Sequence, residues 1–483
     1  MSISLNRREF VAITAAGTIM LSGQPGGRQT LAADNENWPQ LPRVKIHKVY
    51  AGRTGHAWPK PKFKPHDEVA KFERHLAKVE QKLGDVKFVG GELVQNPQQA
   101  AQVAAKLKDA DGVLLFHLSI STVKEMQKIV DAGKPTVIFS QPFSGHGWMD
   151  VNQWRKAGKK IALLATSDYD EIVQAVALLR VPVRMRQSRM ISVPGELTGT
   201  KPACSFENVK ASLGTEVIPV SYQRVIDTYQ TIEPKEAETE AEQYWIKPAQ
   251  KIVEPTRDEI IKSARLYLAV KKIMQQEQAQ AVTIKCLGGL PIDKLGYPCL
   301  TFSKLDDLGM VGVCERDIDS ALTRLMFNYA FGIPGFITDP LFDTAKNAVI
   351  HAHCTAPTKM NGPNSKRAPF IIRTHRDDDK GASLEVELRV GQIITCAKLV
   401  NLDTILVSTG KITEIPDFED RGCRTQITTE VKDAQKMLDN WGAGLLDEYG
   451  WVAQLHRVVF YGDLVQSTKH MADLMGLKVI EAM

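Results

Sequence analysis

The chain has 483 residues, too many for one ordinary hydrophobic core, so two or three domains are expected. Its 43% hydrophobic and 24% charged content is that of a folded globular protein and excludes a fibrous or largely disordered chain. The formal charge of +5 is small for this length and its basic residues are dispersed, which argues against nucleic acid as a partner.

The first predicted element is a targeting segment. Asn6-Arg7-Arg8-Glu9-Phe10-Val11 resembles a twin-arginine export core. The apolar stretch after it, 10–21, is about 12 residues, too short for a bilayer core of about 30 Å. Leu31-Ala32-Ala33 then offers small residues suited to a signal peptidase. A leader over 1–33 is expected, with export to the periplasm or beyond and no membrane segment in the mature form. The competing reading is a cytoplasmic protein whose first helix happens to contain Arg-Arg. Seven cysteines, an odd number without Cys-x-x-Cys spacing, point away from a disulfide framework or a structural zinc site. Most should be small buried apolar groups.

From 34 to 43 the chain reads as an extended linker. Strands are predicted at 44–50, 86–89, 112–116, 136–139 and 161–165. Helices fall at 67–83, from a cap at Asn96 to 107, at 122–132 and at 168–179. Apolar runs alternating with helices indicate a parallel sheet covered on both faces, an N-terminal α/β domain over 34–190. A second cycle opens at 190–193 and 217–220, passes an acidic helix face at 233–242, and continues with a long amphipathic helix at 256–275. Strands at 281–286, 310–313, 337–339 and 348–352, with a helix at 317–329, complete a second α/β domain over 191–355. Closely spaced strands at 370–374, 383–390, 392–399 and 404–407 lack intervening helices and predict an antiparallel sheet or barrel over 356–483. The fold class expected is therefore two successive Rossmann-like α/β domains followed by a mostly-β, barrel-like domain.

Ligands of parallel sheets gather beyond the carboxyl ends of the strands. Glu315, Asp339 and His353 each follow a predicted strand, and a divalent ion accepts carboxylate oxygen and imidazole nitrogen together. Each has a plainer reading: helix N-caps for Glu315 and Asp339, a buried core imidazole for His353. His351 shares a strand face with His353 and is a weaker candidate. Asp317 would cap the helix or support Glu315. In the first domain, Gln141, His146 and Trp148 lie on a loop after 136–139 and suit sugar recognition, unless the loop is only a Gly-rich turn over a buried Trp148. The loop 52–58, with His56 and Trp58, sits on the same edge.

Pro298-Cys299, Leu305-Asp-Asp-Leu-Gly309, Cys314-Glu-Arg-Asp317, Gly335-Phe-Ile-Thr-Asp339, Ala352-His-Cys354 and Gly391-Gln-Ile-Ile-Thr395 resemble the L-fucose/L-arabinose isomerase family. The resemblance covers roughly 280–483. It implies an ion of the manganese type held by Glu315, Asp339 and a C-terminal histidine, matched here by His456 in Leu455-His-Arg-Val-Val-Phe-Tyr-Gly-Asp463. Glu315 and Asp339 would also be the catalytic pair that moves a proton between C1 and C2 of an open-chain sugar through an enediolate. His353, Gln141, His146 and Trp148 would bind the sugar. First-domain loops in that family complete a neighbouring subunit's site, so a homo-oligomer is implied. Two other functions fit the same fold: glycoside hydrolysis by the paired carboxylates, and sugar binding without catalysis.

Overall fold

The computed structural model describes residues 38–55, 63–195, 205–416, 421–445 and 455–481. The expected leader, Cys204, His56 and Trp58 lie outside them. No helix among the described residues is long and apolar enough to cross a membrane.

The first α/β unit is a five-stranded parallel sheet. Its strands are β1 (Val44–Ala51), β2 (Val86–Val94), β3 (Gly112–His117), β4 (Thr136–Ser140) and β5 (Ile161–Ala165), in the order β2-β1-β3-β4-β5. β3 and β4 are buried along their whole length, which is why they read as unbroken apolar runs. Asn96 caps its helix as expected, accepting from the Gln99 amide at 2.9 Å. Trp38, assigned to a linker from sequence, is instead buried and packs in the core of the second unit.

His117 ends β3 with Nδ1 2.9 Å from Ser140 Oγ, and burial drives its pKa down to about 4. The folded protein thus resists a proton that the unfolded chain accepts. Stability is full above the unfolded value of about 6.5 and is lost as pH falls toward 4, by up to about 3 kcal/mol. His117→Gln should flatten melting temperature against pH across that window; an unchanged slope would assign the acid sensitivity to another group.

The second unit is a four-stranded parallel sheet, β10-β9-β6-β7, from β6 (Arg189–Val193), β7 (Glu216–Pro219), β9 (Ala281–Ile284) and β10 (Val311–Cys314). β8 (Lys251–Ile252) leaves this unit to pair elsewhere. A capping box of Thr256 and Glu259 starts the helix Arg257–Gln276, which buries one face against the sheet. The acidic stretch near 233–242 is a helix, though not wholly solvated: Ala237 and Ala241 are buried, and Glu240 holds the buried Lys304 at 2.7 Å.

The third unit is a closed antiparallel barrel. β11 (Phe336–Asp343), β12 (Ala348–His353), β15 (Ile393–Val400), β16 (Thr404–Glu414), β17 (Thr425–Glu430) and β18 (Arg457–Tyr461) run β15-β18-β11-β12-β17-β16, and β16 pairs back to β15. β19 (Lys478–Glu481) adds parallel to β16. Two strand assignments are corrected here. The segments at 337–339 and 348–352 are β11 and β12 of the barrel, not the last strands of the second parallel sheet. Those at 370–374 and 383–390 are β13 (Phe370–His375) and β14 (Lys380–Val386), which pair with each other and, through β13, with β8 in a separate three-stranded sheet. Short apolar strands look alike whether they lie in a parallel sheet or a barrel, because both bury them on two sides. One hydrophobic cluster runs from the first sheet through the helices Glu171–Gln187 and Ile318–Phe331 into β15, β16 and β18, so the barrel packs directly on the α/β units.

Candidate metal centre

Glu315 stands where the second sheet hands the chain to the helix Ile318–Phe331. The strand before it reads Val-Gly-Val-Cys because the helix Cys299–Asp307 presses on β10: a Cβ at Gly312 would lie 2.7 Å from Phe302 Cα. The Leu305-Asp-Asp-Leu-Gly309 motif is scaffold. Asp306 accepts from the Gly312 amide at 3.1 Å and pairs with Arg324, while Asp307 takes the amides of Thr358 and Lys359 at 2.8 Å each. Past Cys314, Glu315 and Arg316 both adopt left-handed backbone, with φ of 57° and 58°. Such positions cost non-glycine residues on the order of 1–3 kcal/mol each and persist where the surroundings enforce them. Here Arg316 is the anchor. Its amide donates to Ile284 O at 3.2 Å, and its guanidinium donates to Ser192 Oγ and Gly195 O at 3.0 Å each. The turn projects Glu315 off the carboxyl edge of the sheet toward the barrel mouth.

Neither carboxylate is a helix cap. Asp317 takes that role, accepting from the Ser320 amide at 3.0 Å. Asp339 lies inside β11 and continues into an antiparallel partner instead of a helix.

Sheet pairing collects the other donors. Thr338 is opposite Arg457 and Asp339 is opposite Ala352, so Asp339, His456 and His353 fall on three adjacent strand paths at one end of the barrel. Their donor atoms meet within 4.8 Å of one another. His456 Nε2 is 3.3 Å from Asp339 Oδ1 and 3.8 Å from Glu315 Oε2, and His353 Nε2 is 3.9 Å from Glu315 Oε1. Asp339 Oδ1, His353 Nε2 and His456 Nε2 are buried with no hydrogen-bond partner in the protein; even the 3.3 Å contact lacks the alignment of one. Burying three such atoms unpaired is costly, on the order of 1–3 kcal/mol each, unless something else satisfies them. Convergent carboxylate oxygen and imidazole nitrogen are what a divalent cation requires, so these residues fit a metal ion.

The support behind His456 also suits a ligand. Its Nδ1 lies 3.0 Å from Asp317 Oδ2, which fixes the proton on Nδ1 and turns the Nε2 lone pair to the cluster. The same Asp317 oxygen receives Ser320 Oγ at 2.6 Å and Lys398 Nζ at 2.7 Å. Burial opposes ionisation of Asp317, but Lys398 and then His456 hold its carboxyl far below the usual range. Burial likewise disfavours a charged His456, yet Asp317 and Asp339 raise its pKa to about 9. Burial lowers that of His353 against the pull of Asp339. Carboxylates that can stabilise a proton on His456 Nε2 can stabilise a cation there instead.

The structure therefore brings together Glu315, Asp339, His353 and His456, with His353 in the donor cluster beside the two carboxylates it was grouped with at the strand ends. His351 is a satisfied barrel histidine, 3.1 Å from both Thr338 Oγ1 and Thr429 Oγ1. Gln141, His146 and Trp148 stay apart in sequence and sheet, on the loop after β4. Trp148 is 46% exposed and Phe143 66%, so the loop is not a turn over a buried tryptophan. Lys398 was missed from sequence; a lysine within the apolar run 393–400 was the available signal.

No family model matches the chain. The sulfoquinovose isomerase of Priestia aryabhattai is 23% identical over 283 residues, 56% of this chain and 58% of that protein. The sulfoquinovose isomerase of Priestia megaterium matches with the same identity and span. The chain thus aligns to 58% of the length of these curated relatives. Over that span it is distantly similar to these two proteins named as sulfoquinovose isomerases.

Proposed function

We propose that this protein is a metal-dependent aldose–ketose isomerase whose centre is built from Glu315, Asp339, His353 and His456. The observation that carries the reading is the convergence of three buried, unpartnered donor atoms from β11, β12 and the start of β18 on one carboxylate from the second sheet. A divalent ion of the manganese type, when bound, would supply Lewis acidity toward the adjacent carbonyl and hydroxyl oxygens of an open-chain sugar. The chain's own residues do the rest. Glu315, partly open to solvent on its strained turn, takes the proton from the carbon beside the carbonyl and returns it to the neighbouring carbon. Asp339 serves the oxygen side, moving the hydroxyl proton. Asp317 and Lys398 hold His456 in the tautomer that leaves Nε2 free. The exposed Phe143, Trp148 and Met149 suit contact with a second copy or with the sugar. Among aldoses, sulfoquinovose is the first to test because the relatives bear its name, with L-fucose and L-arabinose beside it.

Purified protein should contain about one divalent ion per chain by elemental analysis, and chelation should abolish ketose formation until manganese is restored. Full turnover after complete metal removal would sink the metal reading, and a protein that binds the ion but converts no aldose would sink the isomerase reading.

A further inference from the structure

Five of the six described cysteines are buried, and the sulfurs of two stand directly behind the candidate centre. Cys286 follows β9, Cys314 ends the neighbouring β10, and their Sγ atoms are 3.9 Å apart. Cys314 Sγ, a Glu315 oxygen and a His353 nitrogen all lie within 4.8 Å of one another. His353 Nε2 is among the buried atoms with no partner, and the residue is 4% exposed. We propose that Cys314, Glu315 and His353, whose ligand atoms already converge, form a second cation site with Cys286, whose Sγ touches only that of Cys314 and must turn toward the other two, for a thiophilic divalent ion of the zinc or cadmium class that shares Glu315 and His353 with the first.

Geometry and ligand chemistry both favour it. Thiolate–zinc bonds of about 2.3 Å at the tetrahedral angle put two sulfurs about 3.8 Å apart. The observed 3.9 Å matches that edge. The nitrogen–oxygen edge, 3.9 Å between His353 and Glu315, must close by roughly half an ångström for bonds of about 2.0–2.1 Å, within the reach of a rotamer adjustment. Two sulfurs, one imidazole and one carboxylate make a set that a soft or borderline ion prefers, whereas Asp339, His456 and Glu315 present only nitrogen and oxygen to a harder one. One imidazole nitrogen cannot serve both ions, so the sites exclude each other. A zinc-class ion would then displace the manganese-type ion and the Lewis acidity it supplies toward the sugar oxygens. That inhibitory consequence rests on the isomerase reading; the binding itself does not.

The test is a titration of the full chain, kept reduced and stripped of metal, with cadmium, followed by thiolate-to-cadmium ultraviolet absorption. One equivalent should saturate the band. Cys286→Ala and Cys314→Ala should each weaken binding by about 100-fold or more, the upper end of what even an outer-sphere partner is worth. His353→Gln should weaken it, and His456→Gln, which touches only the first site, should leave the band intact. A band that survives both cysteine substitutions belongs to other thiols and overturns the site, as does no band in the parent protein. Manganese-loaded protein should release manganese one for one with cadmium, read as the free-ion paramagnetic resonance signal. Retention of manganese beside bound cadmium would overturn the shared ligands. If the parent takes up no manganese yet gives the cadmium band, the first-site reading fails and the thiol site stands.

Discussion

Glu315→Gln should abolish turnover while leaving the fold intact. The amide keeps the shape of the side chain and the left-handed backbone that Arg316 enforces, but it cannot accept a proton and is a poor ligand for a divalent ion. Loss of a positioned acid–base group costs about 10²–10⁴ in rate, and loss of an ion ligand adds to it. Stability should scarcely change, because the cap of the helix Ile318–Phe331 is Asp317, whose bond to the Ser320 amide does not involve Glu315. Turnover on the responsive aldose and thermal melting, each with and without manganese, decide the matter. Retained turnover would remove Glu315 from the chemistry; a large fall in melting temperature would make it a structural residue.

What the sequence allowed follows from how local each signal is. The parallel strands β3 and β4 were legible because burial on both faces leaves an unbroken apolar run, in a chain whose helices have recognisable caps such as Asn96. β11 and β12 were read as strands but placed in the wrong sheet, since pairing partners such as Val458 for Ile337 lie more than a hundred residues away and leave no mark on the local pattern. Glu315 and Asp339 stood out as acidic groups at or near strand ends. Their convergence with His456 depended on resemblance, because His456 precedes an ordinary apolar strand and nothing local sets it apart. Lys398 shows in the sequence only as a lysine within an apolar run; its meaning depends on Asp317, which faces it from a different unit.

That pair carries the second large effect. Asp317→Asn should destabilise the protein by about 3–5 kcal/mol, because it leaves the Lys398 ammonium, fully buried, without a counter-charge. The helix cap survives, since an asparagine oxygen still accepts from the Ser320 amide. Metal affinity should fall as well, by about 10–100-fold, because His456 loses the carboxylate that keeps its proton on Nδ1. The two losses have separate causes and can be parted. Adding Lys398→Met removes the stranded charge and fills the same space, so the double variant should regain most of the stability. Its manganese affinity should remain low, because nothing has replaced the bond to His456. Melting reports the first effect and calorimetric titration with manganese the second. Recovery of both in the double variant would mean that Asp317 only neutralises Lys398 and that His456 is oriented by something else. Recovery of stability alone would make Asp317 a positioning residue of the metal centre.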